Sequence, residues 1–84
     1  MQRRNKTFAR RLRQERQQIG LPAYLLSELC GLNHGAVSLY EKGLAEPNSR
    51  SLLALADVLG VSTDYLLGRT HEPMEILHRK EVLI

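Results

Sequence analysis

Apolar side chains recur along this chain at three- and four-residue intervals, and each run of them stops at a glycine. Gly20, Gly31, Gly43, Gly60 and Gly68 divide the sequence into five short segments with helical spacing. In the first, from Thr7 to Ile19, Phe8, Leu12 and Ile19 share a face with the aliphatic stem of Arg16, and Gly20 is the expected C-cap. The second starts at Pro22, a residue suited to a first helical turn, and runs to Cys30 with Leu25, Leu26 and Leu29 inward. The third takes Asn33 as N-cap and carries Val37 and Tyr40 inward as far as Lys42. After a loop over Leu44 to Pro47, the fourth is capped by Asn48 or Ser49 and buries Leu52, Leu55, Ala56 and Leu59. The fifth has Ser62 as N-cap and Asp64 in its first turn, where the helix dipole favours an acid.

This pattern predicts an all-α domain, a compact five-helix bundle with no strand. Sixteen leucines against four valines and three isoleucines point the same way. Residues 7–70 form the expected domain, preceded by an arm over 1–6 and followed by an apolar tail over 71–84. In the tail, Pro73 interrupts any helix, and Met74, Leu77, Glu81 and Ile84 would share a helical face. The closing Glu81-Val82-Leu83-Ile84 reads equally well as a short strand. Either way its apolar side chains are expected to dock on the body or on a second copy of the chain.

With 84 residues, the chain has room for one small core. Its apolar content of 43% and charged content of 25% fit a soluble globular protein. No apolar run is long enough for a membrane span, and no apolar stretch of a secretory leader follows the basic start. A single cysteine, Cys30, makes no internal disulfide and suits a reducing cytoplasm. The net charge of +3 is unevenly placed. Residues 1–16 hold seven bases (Arg3, Arg4, Lys6, Arg10, Arg11, Arg13 and Arg16) against Glu15, while the remaining 68 residues hold five bases and eight acids. A basic start on a mildly acidic body suits a polyanionic partner, with nucleic acid ahead of a membrane surface, although a solvated terminus has the same composition.

The stretch from Ala23 to Lys42 constrains the reading most. Two helices crossing at a steep angle need a small residue at the crossing, which Ser27 provides. They also need a left-handed residue in the turn, which Gly31 provides at low steric cost. Leu26, Cys30, Leu32, Val37 and Tyr40 fall at the inward corner positions. Arg16 four residues before Gly20, Glu41 ahead of Lys42-Gly43, Pro47, and the run from Leu55 to Thr70 complete the pattern. Over Phe8 to Thr70 the sequence resembles the helix-turn-helix domain of the phage-repressor/Cro family, also called the xenobiotic-response-element family.

The resemblance implies that the segment Asn33 to Lys42 enters the major groove of double-stranded DNA. It implies that His34, Gly35, Ser38 and Leu39 face the bases and that Arg16 pairs with Glu41. It further implies phosphate contacts at Ala23, Asn33, Lys42 and Asn48; beside these, the charge of Arg3, Arg4 and Lys6 suits a basic arm that follows the backbone or enters a minor groove. The protein would then act as a homodimer on an inverted repeat, without a cofactor, metal or small-molecule ligand, in a bacterial or phage-encoded cytoplasmic setting. Glu41 has an independent argument: an acid near a helix C-terminus opposes the dipole and needs a cationic partner.

The sequence departs from the family at two places. Base edges are read mainly by Arg, Lys, Asn and Gln, whereas His34, Gly35, Ser38 and Leu39 have little hydrogen-bonding reach. Either a T-rich site is read through shape and methyl contact, or specific reading is weak and protein contacts dominate. At the start of the second helix, Pro22 and Ala23 stand where the family has a hydroxyl cap and a glutamine, leaving only backbone N–H groups for a phosphate. A transcriptional regulator, read as a repressor ahead of an activator, is the first function reading. An antitoxin-like protein-interaction module on the same fold is the alternative. Cys30, His34, His71 and His78 have no recognised zinc spacing, and no group completes a nucleophilic pair from Cys30 and His34.

Overall fold

The computed structural model describes residues 5–74, which form five helices and no strand. They are α1 (Lys6–Gln18), α2 (Ala23–Leu29), α3 (Ala36–Glu41), α4 (Ser49–Leu59) and α5 (Thr63–Leu67). Helix α1 packs on α3 and α5, and α2 packs on α3 and α4. The core consists of Phe8, Leu12, Leu26, Val37, Tyr40, Leu55, Ala56, Leu59 and Leu66. The rings of Phe8 and Tyr40 meet edge to face, 6.2 Å between centroids.

Three helix starts carry the expected kind of cap. Asn5, Asn48 and Ser62 accept hydrogen bonds from the N–H groups of Phe8, Ser51 and Tyr65, at 2.9, 2.8 and 3.0 Å. Asn48 rather than Ser49 therefore caps α4, and α1 begins at Lys6, one residue before the expected start. Lys6 thus belongs to a helix rather than to a free arm. Arg3 and Arg4, and the tail beyond Met74 with its helix or strand alternatives, lie outside the described residues.

Two apolar residues expected inside lie at the surface. Ile19 is 50% exposed because α1 ends at Gln18 and the chain turns away at Gly20. Leu29 is 55% exposed because the buried stripe of α2 follows the helix crossing, as expected for Leu26, Ser27 and Cys30, and is rotated from the one that apolar spacing alone predicts. It runs through Ala23, Leu26, Ser27 and Cys30, with polar Ser27 fully buried at its centre and Leu25 at its margin.

The end of α5 closes against the start of α1. Asn5 donates its side-chain amide to the Leu67 carbonyl at 3.1 Å. Arg11 donates to the carbonyls of Tyr65 and Thr70, and its guanidinium lies 4.2 Å from the Tyr65 ring centroid. Gly68 sits in this seam with φ of +88°, and a Cβ there would come within 2.9 Å of the Thr7 methyl. Past it the chain folds back, and the Pro73 carbonyl accepts the Ser62 N–H at 2.7 Å.

Candidate nucleic-acid interface

Helices α2 and α3 are joined by a turn that the local sequence specifies. Gly31 has φ of +71°, a left-handed conformation that a side chain would oppose. Its N–H bonds the Glu28 carbonyl at 3.0 Å, and the next N–H, of Leu32, bonds the Ser27 carbonyl at 2.9 Å. These two bonds satisfy the last carbonyls of α2 and set the exit direction of the chain.

Ser27 does more than leave room at the crossing. Its hydroxyl donates to the Ala23 carbonyl at 3.1 Å and accepts the Val37 N–H at 3.0 Å. No side chain local to α3 caps its start, so Ser27 satisfies a buried donor there from the neighbouring helix. The helix-crossing pattern asks only that Ser27 be small. A hydroxyl at the centre of an otherwise apolar stripe was the available signal for this second role.

The other end of α3 is tied to α1. Arg16 Nε and Nη2 donate to the two carboxylate oxygens of Glu41 at 2.6 and 3.0 Å, and Nη1 donates to the Leu21 carbonyl at 2.8 Å. The side chains are only 15% and 9% exposed, so this two-pronged pair fixes the orientation of α3 with little solvent screening. The hydrogen bond to Glu41 raises the Arg16 pKa above its ordinary value, against the opposing effect of burial.

The expected helix from Asn33 to Lys42 is shorter than its pattern suggested. Residues Asn33 to Gly35 form a turn closed by Ala36 N–H to the Asn33 carbonyl at 3.0 Å, and the helix begins at Ala36. Asn33 therefore does not cap α3 with its side chain; Gly35 occupies the cap position. The physical reason is that glycine inside a helix is entropically costly, while Ser27 supplies the acceptor that a local cap would have provided.

His34 and Gly35 thus precede α3, and Ser38 and Leu39 lie on it. His34, Gly35 and Leu39 are exposed, and Ser38 is half-buried. Lys42, Asn33 and Asn48 are exposed as well, whereas Ala23 is partly buried against the core at the uncapped start of α2.

The basic start divides in two. Arg11 and Arg16 are committed to internal bonds. Lys6, Arg10 and Arg13 are exposed and, at four- and three-residue spacing, share the outer face of α1. Arg10 and Arg13 were not among the expected site residues, although the same spacing rule that located the core would have grouped them with Lys6.

Cys30 is partly buried, and burial, followed by the charge of Asp57, pushes its thiol pKa up. That disfavours the thiolate a nucleophile or metal ligand needs. Among the described residues, no helix is long and apolar enough to cross a membrane.

A helix-turn-helix family model matches residues 12–66. Over 80 residues the chain is 38% identical to the SPbeta prophage-derived uncharacterized HTH-type transcriptional regulator YonR of Bacillus subtilis (strain 168), covering 92% of this chain and 74% of that protein. It is 37% identical over 57 residues to repressor protein C2 of Salmonella phage P22, covering 68% of this chain but only 26% of the repressor. The crystal structure of the P22 c2 repressor with a synthetic operator superposes with a TM-score of 0.68 at 34% identity, covering 70% of this chain and 89% of that one. These relatives are named as regulators and repressors, not as enzymes. With its Ser27–Gly31–Val37 corner and a family match over most of its length, the chain belongs to the helix-turn-helix family of the phage-repressor/Cro type.

Proposed function

We propose that this protein is a sequence-specific regulator of transcription that binds double-stranded DNA, acts as a repressor in the cytoplasm, and works as a homodimer on an inverted repeat. The observation that carries the reading is the way α3 is held: Ser27 at one end and Arg16 at the other orient it, while His34, Gly35 and Leu39 stay at the surface. The P22 repressor, crystallised with its operator, supports it by likeness.

In this reading His34 and Ser38 supply hydrogen bonds to base edges, Gly35 allows close backbone approach, and Leu39 lies against thymine methyl groups. Lys42, Asn33, Asn48 and the backbone N–H of Ala23 hold phosphates. Lys6, Arg10 and Arg13 add phosphate contacts from the outer face of α1, with Arg3 and Arg4 preceding them. Two such domains would sit about one helical turn, ~34 Å, apart on the operator.

The test is a titration of the protein against genomic fragments at two salt concentrations. A specific regulator prefers some fragment over bulk DNA by about 10³ or more and loses affinity steeply with salt. A preference below about tenfold removes the sequence-specific reading. Retention of a stoichiometric protein partner at high salt, with no DNA retained, favours the interaction-module reading instead.

A further inference from the structure

His34 has few anchors of its own. It sits in the turn before α3, is followed by Gly35, and its side chain is 75% exposed. An imidazole in that position would ordinarily sample several rotamers, and a single hydrogen bond from an unrestrained side chain discriminates weakly between bases. Here the ring is held from outside. It stacks on the ring of Tyr24 in α2, with centroids 5.4 Å apart and planes 25° apart. Its Nδ1 edge faces Glu28, whose carboxylate Oε2 lies 3.9 Å away, beyond a direct hydrogen bond. Tyr24 and Glu28 are one turn apart on the face of α2 that is turned away from the core. Together they flank the ring on its α2 side, while most of the His34 side chain stays open to a partner.

We infer that Tyr24 is a positioning residue for His34, so that base preference at the pair facing His34 is set by α2 and α3 together. The inference rests on the DNA-binding reading above. The stack removes rotamer freedom when the protein folds, so it is not lost on binding, and the direction of a weak hydrogen-bonding group becomes defined. Tyr24 is 48% exposed, and its removal opens no cavity in the core.

The experiment is in vitro selection of duplex DNA with the full chain as wild type, His34→Ala, Tyr24→Ala and Tyr24→Phe, with a thermal melt of each. The wild type enriches a motif with a preference of about 5-fold or more at the position facing His34, as a well-formed base contact supplies. That preference falls to about 2-fold or less in His34→Ala and in Tyr24→Ala and is retained in Tyr24→Phe. The slope of log affinity against log salt stays that of the wild type in all three variants, because no phosphate-neutralising charge is removed. Tyr24→Ala keeping a preference that His34→Ala loses overturns the positioning role. So does His34→Ala leaving every position unchanged. A wild type that enriches no motif overturns the DNA-binding reading itself, and the inference with it, a failure visible without any variant.

Discussion

The α2–α3 corner and the α1, α4 and α5 frame around it are stabilised by different means. In the frame, regular stripes of large apolar residues supply most of the stabilisation: Phe8 and Leu12 in α1, Leu55, Ala56 and Leu59 in α4, and Leu66 in α5. The corner contributes Leu26, Val37 and Tyr40 to the same core, and single polar atoms set its geometry. The Ser27 hydroxyl bridges Ala23 and Val37, the Gly31 turn closes α2, and Arg16 clamps Glu41. A frame built on summed area tolerates changes of shape within limits. In a corner held by named atoms, removing one atom leaves a particular partner unsatisfied.

The sharpest test lies where the two regions meet. Val37 is fully buried and its N–H is the one that Ser27 accepts. Val37→Glu is expected to cost more than about 4 kcal/mol and abolish the cooperative melt, since it buries an unpaired carboxylate. A melt like that of the wild type would show that the corner is not a packed unit. Next in size, Leu55→Ala in the frame should destabilise the domain by about 2–5 kcal/mol by denaturant titration, the usual range for a fully buried leucine.

Ser27→Ala separates the two modes directly. If the corner were only a matter of apolar fit, removing a buried hydroxyl would be neutral or stabilising. With the Val37 N–H left without its acceptor, the expected cost is about 1–3 kcal/mol, read by the same titration. The smallest stability effect belongs to the outer face of α1. Replacing Lys6, Arg10 and Arg13 together with Gln should change folding stability by about 0.5 kcal/mol or less. The salt slope of DNA binding should nevertheless fall by about 0.9 for each phosphate that is no longer neutralised. An unchanged slope would take that face off the DNA.

Legibility followed the same division. Apolar stripes through Phe8 and Leu12 and through Leu52, Leu55, Ala56 and Leu59 located α1 and α4, because burial there depends mainly on apolar area, which the residue types carry with them; α5 was marked by its Ser62 cap and Gly68. The Arg16 and Glu41 pair was also visible, through the family resemblance and because an acid at a helix C-terminus calls for a partner. In α2 apolar spacing pointed to Leu25, Leu26 and Leu29, of which only Leu26 is fully buried, whereas the need for a small residue at the helix crossing placed Ser27 correctly. Which face of a seven-residue helix is buried was decided by where α3 crosses it, and the crossing needs a small residue with an acceptor. The start of α3 shifted for a related reason, since its cap comes from a residue ten positions earlier in the chain.

Spacing, caps and glycines act over three or four residues, so the order of residues along the chain was enough to specify the number of helices, most of their ends and the frame core. It was enough, too, to place a basic surplus at the start of the chain. Packing in three dimensions was needed to commit Arg11 and Arg16 to internal bonds while Lys6, Arg10 and Arg13 face outward. Packing also made Ser27 the cap of a neighbouring helix and laid Tyr24 against His34. Each of these depends on two segments meeting in space, and neither segment alone specifies the distance or angle at which they meet.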